Sequence, residues 1–283
     1  MFSFIIWDPN KTILSIGGFE LRWYSMFWIL GLAIAFFVVL KLYKHQKIED
    51  SKFEPLFLYC FVGILLGARL GHCLLYEPGY FLSHPLEIFL PMHKMDDGSW
   101  KFTGYAGLAS HGGTLGLMIA LWIYVKVVKV PLWTVVDNIA IATPITACCI
   151  RLGNLMNSEI VGKTTESPIG FIFVQNGEDF ARHPAQLYEA IAYFILFIIS
   201  LYVYYKWHRQ TAGTGFFCGL CLAYIFIFRF FIEFLKEVQE GWENDMVNAI
   251  GLNQGQMLSI PFIIIGVWML IKPPGKKKKK EIA

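Results

Sequence analysis

Charge is the scarce ingredient of this sequence. Only 16% of its 283 residues are Asp, Glu, Lys or Arg, against about 25% in a soluble domain. With 56% hydrophobic and 17% aromatic residues, the deficit excludes an ordinary soluble globule and points to a chain that crosses a bilayer several times. A disulfide framework is missing as well. Cys60, Cys73, Cys148, Cys149, Cys218 and Cys221 all lie in apolar runs, where free thiols are expected. Cys218-Gly219-Leu220-Cys221 has redox spacing, but inside a membrane helix it reads as packing. There is no His-Glu-x-x-His motif, P-loop or Rossmann glycine pattern, so the common metalloprotease and nucleotide sites are absent. His84, His93 and Asp96 have no metal-ligand spacing, and no metal site is expected. No internal repeat and no basic-aromatic surface for nucleic acid is visible. Residues 1–19 carry neither a basic start nor a small-residue cleavage site, so no signal peptide is expected.

What is present is a series of long apolar runs. About 20 such residues cross a bilayer as a helix, and seven candidates lie near 23–43, 55–76, 105–125, 132–150, 187–205, 214–235 and 256–271. The expected fold is therefore an all-α polytopic membrane protein, a single domain over 1–283 with a basic tail at 272–283. Alternate connections, with Lys41 at the end of the first run counted among them, divide their lysines and arginines unequally. Fourteen fall on the side holding Lys41, Lys126, Lys206 and the tail, and eight on the side holding Lys11, Lys94, Arg151 and Lys236. The richer side faces the cytoplasm, which places the N-terminus outside and the C-terminus inside. The long loops 77–104, 151–186 and 236–255 then share the outer face.

The densest polar stretch opens the second of these loops: Arg151-Leu152-Gly153-Asn154-Leu155-Met156-Asn157-Ser158-Glu159-Ile160-Val161-Gly162. It follows the run 132–150, where a helix would meet water. Arg151 can grip a phosphate or carboxylate with two parallel bonds, and Asn154, Asn157 and Glu159 supply further donors and acceptors. Other polar groups sit in apolar surroundings, where isolated charge is costly. Arg69 and His72 interrupt the second run. His111 stands among glycines in Ser110-His111-Gly112-Gly113, open to a ligand on one side. Asp137 lies in the fourth run and is expected to pair with a base or cap a backbone. Arg229 and Glu233 are four apart among phenylalanines and can pair on a helix. Gln186 and Glu189 share a face of the fifth run.

The stretch from Arg151 to Gly162 resembles the signature of the prolipoprotein diacylglyceryl transferases, roughly G-R-x-G-N-F-x-N-x-E-x-x-G. Cys149-Ile150 stand before the arginine where the family usually has Gly, and Leu155 replaces Phe; neither departure removes a functional group. Further blocks are similar to the family: Tyr24, Arg69, the H-G-G of His111, Arg182-His183-Pro184-Ala185-Gln186-Leu187-Tyr188-Glu189, the Arg229–Glu233 pair, and Gln256-Met257-Leu258-Ser259-Ile260-Pro261.

The resemblance implies transfer of the diacylglyceryl group of phosphatidylglycerol to the lipobox cysteine of a preprolipoprotein. Glycerol phosphate would be released, at the outer face of a bacterial inner membrane. It implies His111 as base and Arg151 and Arg229 as phosphate ligands. Tyr24, Arg69, Asn154, Asn157, Glu159, Gly162, His183, Gln186 and Glu233 would bind or orient substrate. No cofactor is required, and nucleic acid is not an expected partner. From the residues alone, a transporter or channel for a lipid or other anion stays open as the alternative, with Arg69 and Arg229 lining its path.

Overall fold

A computed structural model of the protein describes residues 4–16, 19–90, 92–95, 98–102, 107–237, 247 and 251–275. The lysine run 276–280, Asp96 and Asp97 lie outside the described residues. In chain order the elements are strands β1 (Ile5–Trp7), β2 (Thr12–Ile16) and β3 (Phe19–Arg22), then helices α1 (Trp23–His45), α2 (Asp50–Leu75), α3 (Pro78–Ser83) and α4 (Leu86–Phe89). Strands β4 (Met92–Lys94) and β5 (Trp100–Phe102) and helices α5 (Ser110–Val128) and α6 (Leu132–Met156) follow. The chain continues through β6 (Phe171–Phe173), β7 (Ala181–Arg182), α7 (Ala185–Thr211), α8 (Phe216–Ile232) and α9 (Gln254–Ile271).

Six of the described helices, α1, α2, α5, α6, α7 and α9, are long and apolar enough to cross a membrane; α8 is apolar but shorter, at 17 residues. The helical, multi-spanning fold expected from composition is the one observed, because only hydrogen bonding within a helix or a closed barrel satisfies the backbone in hydrocarbon. The boundaries differ from the apolar runs. Helix α5 starts at Ser110 rather than 105, α8 ends at Ile232 rather than 235, and α6 runs on to Met156 rather than stopping at 150. Apolarity marks where hydrocarbon ends, whereas a helix ends where its backbone finds other partners. The short strands were not foreseen. They pair as β1-β6-β7, β2-β3 and β4-β5, outside the apolar runs.

The residues form two compact units. The first comprises 1–42 and 136–283. Its core packs Leu42, Ile141, Leu196, Tyr204 and Phe217, and a second cluster joins Ile145, Cys148, Tyr193 and Phe197. Trp7, Leu155, Phe171 and Phe173 form a third cluster, tied by the Trp7 indole donating to the Leu155 carbonyl at 2.9 Å. Asp137 turns out to be a backbone cap. It is fully buried, and its carboxylate accepts from the amides of Thr214 (3.0 Å), Gly215 (2.9 Å) and Cys218 (3.0 Å). These are groups that the start of α8 leaves without helical partners. Helix α9 begins with a capping box, Asn253 accepting from the Gln256 amide at 2.8 Å and Gln256 from the Asn253 amide at 2.9 Å. The glutamine that opens the Gln256 to Pro261 block is therefore a capping residue.

The second unit comprises 43–135. Helices α2 and α5 meet along glycines: a Cβ on Gly71 would lie 2.7 Å from the Gly112 Cα, and one on Gly116 would lie 2.8 Å from the Gly67 Cα. Small residues four apart on both helices let the backbones approach, the packing that drives association where lipid removes the hydrophobic effect. All six cysteines are free thiols.

Candidate active site

Helix α6 carries Arg151 and Asn154 in its last two turns, and the turn that follows presents Glu159. Ser158 and Ile160 flank Glu159 with φ of 57° and 56°, a left-handed conformation that is unusual for a β-branched residue and typical of functional sites. The turn is held by the Glu159 amide on the Asn154 carbonyl at 3.0 Å and by Asn176 donating to the Ser158 carbonyl at 3.0 Å. The side chains of Asn154 and Asn157 each donate to the Glu159 carboxylate at 3.2 Å. Asn154 in turn accepts from Arg151 Nη1 at 3.3 Å.

The strongest hold on Arg151 comes from Glu189 in α7. Arg151 Nε lies 2.8 Å from Glu189 Oε2, and Nη2 donates to Oε1 at 3.2 Å. Glu189 is fully buried, so its charge requires such partners. Tyr193 donates to it at 3.2 Å and Lys236 Nζ at 3.3 Å. The same Nζ reaches Glu233 Oε1 at 3.0 Å. Glu233 also accepts from the Asn253 side-chain Nδ2 at 3.3 Å, and its carboxylate lies where a Cβ on Gly255 would be 2.7 Å away. The expected Arg229–Glu233 pair is present but loose, at 3.7 Å. The Arg229 guanidinium makes no hydrogen bond to a described residue, and its side chain is 41% exposed.

The two arginines thus differ. A guanidinium has five N–H donors. Arg151 turns all three nitrogens toward protein groups, while Arg229 has its fork uncommitted among the described residues. Glu189 and Lys236, which join them, were absent from the expected site. The sequence shows Glu189 as the end of the Arg182 to Glu189 block and a neighbour of Gln186, and Lys236 as a basic residue in a loop. The available signal was spacing, since Lys236 follows Glu233 by three residues, just beyond the end of α8.

The remaining expected residues of this unit sit around the network. Tyr24 packs on Gly153, where a Cβ would meet the Tyr24 ring at 2.9 Å, and its hydroxyl accepts from Trp28 at 3.3 Å. Gly162 is a crossing point: its amide donates to the His183 carbonyl at 2.8 Å, it bridges Lys236, and a Cβ there would lie 2.7 Å from both His183 Cβ and the Leu235 carbonyl oxygen. Close approach is what this glycine provides. His183 faces the Tyr188 hydroxyl at 3.3 Å. Beside it Arg182 is clamped by Glu178 (2.8 Å) and Glu237 (2.6 Å). Gln186 is fully buried, and its amide makes no hydrogen bond to a described residue.

Arg69 and His111 belong to the second unit. Arg69 is buried and clamps main chain, donating to the carbonyls of Glu87 at 2.6 Å and Ile88 at 3.1 Å, with its guanidinium 4.8 Å from the centre of the Phe81 ring. The Glu87 carboxylate accepts from Tyr80 at 2.7 Å; burial first, and that carboxylate second, push the Tyr80 hydroxyl up to about 12. His111, in the first turn of α5, is exposed. It lines a groove of about 860 Å³ whose walls are apolar side chains of α2 and α5, Leu66, Leu70, Leu115 and Ile119 among them. Among the described residues no three His, Cys, Asp or Glu side chains converge as metal ligands.

Residues 11–272 match the family model described as prolipoprotein diacylglyceryl transferase. A phosphatidylglycerol–prolipoprotein diacylglyceryl transferase of Bacteroides fragilis is 55% identical over 274 residues, covering 97% of this chain and 96% of its own length. Enzymes of the same name from Porphyromonas gingivalis and Chloroherpeton thalassium are 41% and 38% identical, over 95% of this chain in each case. With its signature arginine held in a buried ionic network and its similarity running nearly end to end, the chain belongs to the prolipoprotein diacylglyceryl transferase family.

Proposed function

We infer that this multi-pass membrane protein is a transferase that moves the diacylglyceryl group of phosphatidylglycerol to prolipoproteins, the first step of lipoprotein maturation. The observation that carries the reading is the family match from residue 11 to 272; a transporter has no comparable support. The acceptor is the thiol of the lipobox cysteine. Its sulfur forms a thioether bond to the glycerol carbon that bears the phosphate, the carbon–oxygen bond breaks, and glycerol phosphate leaves with the electron pair. His111 takes the thiol proton, since an imidazole accepts protons near neutral pH and a thiol ionises unaided only near pH 8.5. Negative charge grows on the departing phosphate. Arg229, with its fork uncommitted among the described residues, and Arg151 stabilise that charge, an effect strengthened where water is scarce.

Asn154, Asn157 and Glu159 orient the headgroup, joined by Tyr24 on Gly153. Glu233 orients Arg229, Gly162 and His183 hold the signature loop, and Arg69 keeps the loop above α2 in place. Gln186 offers its amide to the acceptor or headgroup. Residues 1–283 act as one domain, with the C-terminus in the cytoplasm of a bacterial inner membrane and the site on the outer face. The test is incubation of purified protein with phosphatidylglycerol and a lipobox peptide, followed by mass spectrometry. A diacylglyceryl adduct on the cysteine is expected, and its absence with active acceptor and lipid would reject the reading.

A further inference from the structure

We propose that Lys236 is a positioning residue for transfer: its ammonium pins Glu189 and Glu233 between the two arginines and leaves the cluster with one excess positive charge for the phosphate. The proposal rests on the reading of Arg151 and Arg229 as phosphate ligands. Lys236 is only 7% exposed, and a lysine so buried is costly unless paired. Here it is paired twice, with Glu189 at 3.3 Å and Glu233 at 3.0 Å. Each carboxylate has its own arginine, at 2.8 Å for Glu189 and 3.7 Å for Glu233. The charges are thus three positive and two negative. Tyr193 and Asn253, the other groups facing these carboxylates, are neutral donors. Glu159 is exposed and is held by the two asparagines.

The distances give the lysine a specific task. Glu233 lies 0.7 Å closer to Lys236 than to Arg229. While the ammonium holds that carboxylate, the guanidinium of Arg229 is only loosely engaged and can turn its fork to an anion. Without it, Glu233 would close on Arg229 as a direct pair, and the cluster would fall to zero net charge. Both changes weaken a phosphate site. The backbone at this point is secured separately: Lys163 donates to the Leu235 carbonyl at 2.7 Å, and Gly162 and Lys236 form a β-bridge. Side-chain variants at 236 therefore leave the chain path in place.

The experiment measures kcat and KM for phosphatidylglycerol with a lipobox peptide, and inhibition by glycerol phosphate, on the full-length protein. Lys236→Met keeps the apolar stem and removes the charge. It is expected to lower kcat about 30-fold, as truncating one partner of a buried charge pair does, and to weaken glycerol phosphate inhibition. Lys236→Arg should restore most of the rate. Lys236→Met combined with Glu233→Gln should run at least about fivefold faster than Lys236→Met alone, because removing the carboxylate returns the excess charge and frees Arg229. A purely structural lysine would give the opposite, a double variant slower than either single one. Lys236→Gln is the check on folding: it retains a donor without charge and should show the same loss in kcat. Parental turnover in either Lys236→Met or Lys236→Gln overturns the proposal, as does a loss that neither Lys236→Arg nor Glu233→Gln relieves. If Arg151→Ala and Arg229→Ala retain parental activity, the phosphate reading itself fails, a result distinct from any outcome at Lys236.

Discussion

Replacing Arg151 by lysine separates geometry from charge. In the structure the guanidinium of Arg151 touches both oxygens of Glu189, at 2.8 and 3.2 Å, and Asn154 at 3.3 Å. A lysine ammonium is a point charge on a flexible stem and cannot hold this three-way contact. It keeps one link to Glu189, loses the second and the link to Asn154, and no longer presents two hydrogens in a fixed plane. Losing one hydrogen bond to a charged partner costs about 1.5–3 kcal/mol, which corresponds to roughly 10- to 150-fold in rate if the contact is needed at the transition state. The assay is diacylglyceryl transfer to a lipobox peptide by purified enzyme, with kcat and KM separated. The loss is expected mainly in kcat, with the protein still inserted and monodisperse, because Glu189 keeps Lys236 and Tyr193 as partners. Arg151→Lys turnover within about threefold of the parent, roughly 0.7 kcal/mol, would refute the argument and reduce Arg151 to an interfacial anchor.

Four other outcomes are expected. His111→Gln should slow transfer and recover partly as pH rises toward the thiol range near 8.5, whereas Arg229→Gln should be crippled at every pH; parallel pH–rate profiles would reject His111 as the base. Gly67→Leu and Gly116→Leu should prevent the close crossing of α2 and α5, at a cost of about 1–3 kcal/mol or more, while Gly79→Ala, with nothing within 4 Å, should be tolerated; size-exclusion profiles of the detergent-solubilised proteins decide it. Asp137→Asn puts an NH₂ group among backbone donors at the start of α8 and should destabilise the protein by about 3 kcal/mol, read as earlier thermal unfolding with no direct effect on substrate binding. A C-terminal reporter should be cytoplasmic and a tag within 163–170 reachable from outside, and surface labelling of the C-terminus in intact cells would sink the orientation drawn from the basic residues.

Apolar run length was enough to find the helices, because hydrocarbon leaves a spanning chain few alternatives. The signature arginine and the blocks around Tyr24, His183, Arg229 and Gln256 were legible because polar groups in apolar company stand out. The strands were not legible: three-residue pieces such as Phe171–Phe173 have no periodicity to read, and their pairing with Ile5–Trp7 joins positions far apart in the chain. The end of α6 was misplaced for a similar reason. Nothing in Ile150-Arg151-Leu152 breaks a helix, and the stop comes later, from the turn that the Asn154 carbonyl and Asn176 hold.

The sequence by itself determined a charge-poor, multi-spanning helical protein with its polar groups gathered in a few short blocks. Only the tertiary structure decided how those charges are shared. Arg151 is bound to Glu189 rather than standing alone, Arg229 has the looser partner, and Lys236 links the two carboxylates. It also made Asp137 a helix cap and Gly162 a crossing point. Composition and hydropathy are additive along the chain and can be read from it. A buried charge takes whatever counter-charge the fold brings within about 3 Å, and that depends on residues from segments far apart in sequence.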